Sequence, residues 1–304
     1  MIHKLQKIIS LCEQEGIALH EYFLRTEVEE IGDTEEDILQ HMEQNLSVME
    51  QAAQQGIEGV KSRSGMTGGD AKLLAEYLQS GNALSGSIYT RAMVYATAVN
   101  EVNAAMGVIC ATPTAGSSGT LPGVLFAIRN HLNLSRREQI NFLITAAGCG
   151  IVIGNQASIS GAEGGCQAEV GSAAAMSAAA AVEACGGSPS QSGHALAIAL
   201  KNLLGLSCDP VAGLVEVPCI KRNTAGVVIA ISSAEMSLAG VKSRIPVDEV
   251  IDTMGKIGRM LPPALRETAL GGLAQTETGL KMSKQLEESG HIDMESIFGG
   301  GDHV

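Results

Sequence analysis

The sequence predicts an all-α protein, a single mainly helical domain over residues 1–304 built around an Ala/Gly-rich core. Three observations carry this. Apolar residues recur three and four positions apart, the period of one helix face. Alanine, leucine and methionine, all good helix formers, supply the apolar content, whereas aromatics make up 3% of the chain and tryptophan is absent. No alternating apolar–polar run of strand length occurs, nor any fixed-period repeat.

Residues 1–56 read as charged N-terminal helices with a solvated face. Thr34 followed by Glu35, Glu36 and Asp37 marks a helix start, with a capping hydroxyl and acids in the first turn. Leu39, Met42, Leu46 and Met49 continue its apolar stripe, and Gly56 is the expected stop. Residues 57–240 form the core. Within it, IEGVKSRSGMTGGD (57–70) is a Gly/Ser loop entering a helix at Asp70, and 87–109 is a helix rich in Ala, Val and Met. ATPTAGSSGTLPG (111–123) is a hydroxyl-rich turn before the next helix. Met176–Ala184 favours helix, Gly186-Gly187 stops it, and His194–Leu204 and 224–240 carry helical periodicity. Residues 241–304 read as C-terminal helices, the first opened by Pro246, followed by a frayed tail, FGGGDHV.

Composition excludes several functions. A net charge of −13 argues against a nucleic-acid partner, since phosphate binding needs clustered Lys and Arg. The N-terminal apolar run is broken by charge and lacks a small-residue cleavage site, so no secretory signal is expected. The run 173–184 is too short and too alanine-rich for a span of about 20 residues, so no membrane association is expected either. The expectation is a cytoplasmic protein whose seven cysteines stay reduced, which favours metal binding or catalysis over disulfides.

Neither glycine-rich loop is a nucleotide motif: the 111–123 stretch matches neither G-x-x-x-x-G-K-[ST] nor G-x-G-x-x-G, and it is no nucleophile elbow. Both loops can be ordinary connectors and helix caps, or anion-binding turns in which backbone N–H groups, and Arg63 in the first, meet a carboxylate. The cysteines divide by context. Cys166 follows two glycines, Cys208 precedes Asp209-Pro210, and Cys219 follows Pro218 and precedes Lys221 and Arg222, two cations able to stabilise thiolates. Cys12, Cys110, Cys149 and Cys185 lie on or beside apolar segments and are assigned to packing. The spacing C-x41-C-x10-C is neither a zinc ribbon nor a ferredoxin motif. Three loop thiolates suit a [4Fe–4S] cluster with one iron uncovered, or zinc with a water.

GSSGTLPG, GCQAEVGSAAAM, LSCDPVAGLVEVPCIKRN and LGGLAQTETG together closely resemble the α chain of bacterial iron–sulfur-dependent L-serine dehydratases, over about Ser62 to Gly279. The resemblance implies an all-helical catalytic α part, a [4Fe–4S] cluster on Cys166, Cys208 and Cys219, and conversion of L-serine to pyruvate and ammonia without pyridoxal phosphate. Single-chain members carry an N-terminal S-S-S-H region whose histidine is the proposed base. That motif is not in this sequence, so a separate β chain is the expected partner, and the base is expected outside this chain. Single-chain members also tuck a C-terminal cysteine onto the open iron. Here no cysteine follows Cys219, so that device is expected to be missing.

An open iron would take the substrate's β-hydroxyl and carboxylate and ease hydroxide departure. Arg63, Ser64 and Thr67, with Ser117, Ser118 and Thr120, are the candidates for holding substrate carboxylate and ammonium. His194, the histidine of the 161–226 stretch, is a weak candidate base and fits a helix-start or core position better. Lys201 and Lys221 could form a Schiff base, but nothing around them suggests pyridoxal phosphate. Two alternatives stay open: a related cluster-dependent lyase such as an L-cysteine desulfidase, which comparing ammonia release from serine and cysteine would separate, and a non-catalytic metal-binding subunit.

Overall fold

The computed structural model describes residues 4–290. Among them lie thirteen α-helices and no strand beyond one parallel bridge, Cys208 to Arg266. The expected all-α class is what is found.

The N-terminal third begins with α1 (Leu5–Glu15), α2 (Leu19–Ile31) and α3 (Glu35–Glu58). Thr34 caps α3 as its sequence predicts, its hydroxyl accepting from the Asp37 N–H at 3.2 Å. The helix ends at Glu58, close to the expected end near Gly56. That glycine is interior because a Cβ there would fall 2.2 Å from the carbonyl oxygen of Ala98, so its missing side chain is what lets α3 press against α5 (Gly86–Ala104). In contrast, α1 is not an outer helix: it buries Leu5, Ile8, Ile9 and Cys12. The solvated-face expectation fits α3 better, where Glu43 and Glu50 pair with Arg136 of α7 (Arg136–Gln156).

The centre is α9 (Ser172–Ala184), buried at every position from Ser172 to Val182. A helix that is small and apolar all round can be enclosed on all sides. α9 touches α6 (Thr120–Leu132), α7, α10 (Pro189–Lys201) and α11 (Cys219–Leu238). Gly119 performs the same service as Gly56, admitting α5 so closely that a Cβ would lie 2.2 Å from the Ala96 carbonyl oxygen.

Three helices are capped from a distance. The first N–H groups of a helix lack intrahelical partners, and here carboxylates from other elements supply them. Asp248 of α12 (Val247–Met260) accepts from Leu5 and Gln6 at 2.9 and 3.0 Å. Glu183 accepts from Leu19 at 2.7 Å. Glu101, 1% exposed, accepts from Asp70 at 2.7 Å, opening α4 (Asp70–Gln79). Burial raises the Glu101 pKa, and those N–H donors oppose the rise. A very short α8 (Gly161–Gly164) and a final α13 (Glu277–Glu288) complete the set. The tail FGGGDHV lies outside the described residues.

Candidate metal centre

Cys166, Cys208 and Cys219 come from three separated segments, and all three are buried. Cys166 and Cys219 are helix starts rather than loop residues. Cys166 heads a helical stretch that passes through a π-helical turn, Gln167–Gly171, into α9, and Cys219 is the first residue of α11. Helix N-termini favour negative charge and lower thiol pKa values. Cys208 lies in extended backbone, where its N–H donates to the Leu265 carbonyl and its own carbonyl accepts from Glu267 N–H, both at 2.8 Å. Residues 263–276 therefore act as a strap across it.

The Cys166 and Cys208 thiols act on each other, and Cys219 lies within the field of Cys166. The three are 2%, 2% and 7% exposed. The Cys208 thiol holds Cys166 below the ordinary thiol value, with the charge of Arg222 assisting. The same interaction, together with burial, pushes Cys208 up. Burial, then the Cys166 charge, pushes Cys219 up.

Of the two cations after Cys219, only one serves the thiols. The charge of Arg222 acts on Cys166, and its guanidinium grips both flanks of Cys208, donating to the Ser207 carbonyl and to Asp209 Oδ1, each at 2.7 Å. The other oxygen of Asp209 accepts from Leu273 N–H of the strap at 2.8 Å. Lys221 is instead exposed and pairs with Asp70.

Two carboxylates that sequence reasoning did not single out stand in the same site. Glu169 Oε2 lies 3.8 Å from Cys208 Sγ, and burial pushes the Glu169 pKa up to about 7, with Glu267 adding to the rise. Glu267, raised by burial too, has its carboxylate, that of Glu169 and the Cys208 sulfur all within 4.8 Å of one another. Glu169 had a sequence sign, its place three residues after Cys166 on one helix face. Glu267 had none, since the strap's path brings it in.

Both hydroxyl-rich loops abut the head of α11, through inward-facing hydroxyls. Ser64 and Thr67 donate to one oxygen of buried Glu216 at 2.8 and 2.7 Å. Ser117 donates to the Thr112 carbonyl at 3.1 Å, Ser118 to Asn100 Oδ1 at 2.9 Å, and Thr120 to Asn223 Oδ1 at 2.8 Å. Asn223 in turn donates to the carbonyls of Gly116 and Cys219 at 2.7 and 3.0 Å. Arg63 is exposed at the tip of its loop. His194 stands apart on α10: burial lowers its pKa, and the charges acting on it are those of Lys242 and Lys201.

The remaining cysteines lie elsewhere. Cys12 and Cys149 are buried near Glu183, and burial pushes Cys12 up to about 12. Cys110 lines a cleft of about 520 Å³ with Met42, Met49 and Met176. Cys185, expected to pack, is exposed.

The family described as "Serine dehydratase alpha chain" matches residues 14–274, which take in all three cysteines, both loops and most of the strap. The chain belongs to this family. Two relatives align over nearly its whole length. A "Probable L-serine dehydratase, alpha chain" of Bacillus subtilis (strain 168) is 56% identical over 286 residues, covering 94% of this chain and 95% of that one. The "L-serine dehydratase, alpha chain" of Peptoniphilus asaccharolyticus is 43% identical over 291 residues, covering 95% and 100%. A longer "L-serine dehydratase" of Helicobacter pylori (strain ATCC 700392 / 26695) is 43% identical over 186 residues, which are 60% of this chain and 41% of that protein. Among the described residues of this serine dehydratase α chain, no helix is long and apolar enough to cross a membrane.

Proposed function

We propose that this chain is the catalytic α subunit of a cytoplasmic L-serine dehydratase, a lyase forming pyruvate and ammonia, and that Cys166, Cys208 and Cys219 hold its [4Fe–4S] cluster. The burial of these three thiols, two of them within the field of the third, carries the reading in a chain of this family. The donor set fits the group. Thiolates are the ligands iron–sulfur clusters take, and Arg222 and two helix N-termini offset their charge. When bound, such a cluster supplies a Lewis-acidic iron for a substrate oxygen.

The chain's own residues then have separable tasks. Arg222 fixes Cys208 by holding Ser207 and Asp209 on either side of it. Burial of the thiols keeps bulk water from competing for the metal. The loops 61–70 and 111–120 are fastened to the head of α11 by Glu216 and Asn223, so their backbone and Arg63 are the groups available to a substrate carboxylate and ammonium. The proton acceptor is assigned to the β chain, because His194 responds to charges outside this cluster.

The test is anaerobic reconstitution of the purified chain with ferrous iron and sulfide, then pyruvate formation from L-serine with and without the β chain. Cluster uptake, negligible turnover alone and turnover on adding the partner are expected, since losing general acid–base catalysis removes about 10²–10⁴-fold in rate. Failure to take up a cluster, or full-rate turnover alone, would overturn the reading.

A further inference from the structure

Glu169 and Glu267 lie beside Cys208, and the proposed function gives them no task. Glu169 is 8% exposed, on a π-helical turn of the kind that recurs at functional sites. Its two oxygens have different neighbours. Oε1 accepts the Thr114 hydroxyl at 2.7 Å, and Oε2 faces Cys208 Sγ at 3.8 Å. Two glycines leave it space. A Cβ on Gly161 would fall 2.6 Å from Glu169 Oε2 and 2.9 Å from Glu267 Oε2, and one on Gly116 would fall 3.4 Å from Glu169 Oε1. A buried carboxylate beside a second, half-buried one is costly unless positive charge sits with them. Arg222 is a poor candidate for that charge, since it is already committed to Asp209 and Ser207. A metal among the sulfurs would meet the need, and a carboxylate oxygen is a suitable hard donor for an iron that lacks a thiolate.

We propose that Glu169 supplies the carboxylate oxygen that ligates the iron left uncovered by the three thiolates, steadied by Thr114 on its other oxygen. This rests on the cluster assignment above. With a cluster bound, Glu169 would hold that iron until a substrate oxygen replaced it, with no change of oxidation state. Thr114 is a positioning residue, and it makes the 111–119 loop part of the metal centre rather than a neighbour of it.

The experiment compares the wild-type chain with Glu169→Gln, Thr114→Val and Glu267→Gln, each reconstituted anaerobically with ⁵⁷Fe and sulfide. Circular dichroism checks the fold. Iron release into excess EDTA is followed by Mössbauer spectroscopy, and any three-iron form by electron paramagnetic resonance after mild oxidation. Outer-shell partners of metal ligands are typically worth 10–100-fold in metal affinity. Thr114→Val should therefore lose one iron about tenfold faster than wild type, and Glu169→Gln on the order of 100-fold faster, both keeping the other three irons. Where Glu169→Gln does not fold, Thr114→Val decides. Retention at the wild-type rate in the folded variants overturns the proposal, as does accelerated loss confined to Glu267→Gln. A wild-type chain that takes up no cluster overturns the cluster assignment itself.

Discussion

Asn223 is where the centre and its neighbouring loop are joined, and replacing it should loosen both. It is fully buried, donates to the Gly116 and Cys219 carbonyls, and accepts from the Thr120 hydroxyl. The Cys219 carbonyl keeps its place in the α11 ladder, but Asn223→Ala leaves the Thr120 hydroxyl unpaired and the Gly116 carbonyl with only a long contact to Asn100, at 3.4 Å. Three hydrogen bonds at roughly 1 kcal/mol each, plus about 1–3 kcal/mol for a stranded buried donor, give a loss of about 4–6 kcal/mol. Asn223→Asp tests the bonding pattern at nearly constant shape. It keeps the acceptor for Thr120 but aims an oxygen at two carbonyls, so its cost should be at least as large. Thr120→Val should cost about 1 kcal/mol alone and less in the Asn223→Ala background, with a coupling of about 1 kcal/mol. The assay is urea unfolding of the iron-free chain, where 3 kcal/mol is a midpoint shift of about 1 M at a slope near 3 kcal/mol/M, paired with iron content after reconstitution. An Asn223→Asp chain within about 1 kcal/mol of wild type, with full iron uptake, would refute this account.

Three further outcomes are expected. Serine at Cys166, Cys208 or Cys219 should each abolish retention of iron and sulfide by chemical analysis, while Cys185→Ser, at an exposed thiol, should leave it unchanged. Glu183→Ala strands the Leu19 N–H, His20 Nδ1 and the Thr145 hydroxyl, which it holds at 2.7, 2.9 and 2.6 Å, and should lower unfolding free energy in urea by about 3–5 kcal/mol. Gly56→Ala places a Cβ against the Ala98 backbone, forcing α3 off α5, and should cost about 3 kcal/mol in the same assay.

Periodicity and punctuation made the helices legible, because Thr34, the Gly186-Gly187 pair and Pro246 act locally. What sequence could not supply is tertiary. Gly56 marks the approximate end of α3 in sequence, but only the approach of Ala98 explains why a glycine stands there. Nothing local in the sequence marks Asp248, Glu183 and Glu101 as caps, yet they cap helices up to 243 residues away. At the centre, the three cysteines stood out by their loop-like neighbours, although two of them begin helices. Arg222 and Lys221 were indistinguishable in sequence. Their side chains diverge because adjacent helical residues point about 100° apart, one toward Asp209 and one toward Asp70.

That divergence also accounts for how so loose a spacing yields a defined site. Cys166 and Cys219 are held by α9 and α11, two helices packed against each other in the core, so their relative position is set by the fold. Cys208 belongs to no helix and would be free to wander. Arg222 lies three residues beyond Cys219, on the same helix face, and its guanidinium fork takes Ser207 and Asp209 at once. The strap completes the hold from the other side through Leu265, Glu267 and Leu273. One turn of α11 therefore contributes one cysteine directly and fixes a second. A lysine at position 222 would keep the charge but lose the fork, and with it the means of fastening Cys208 on both flanks.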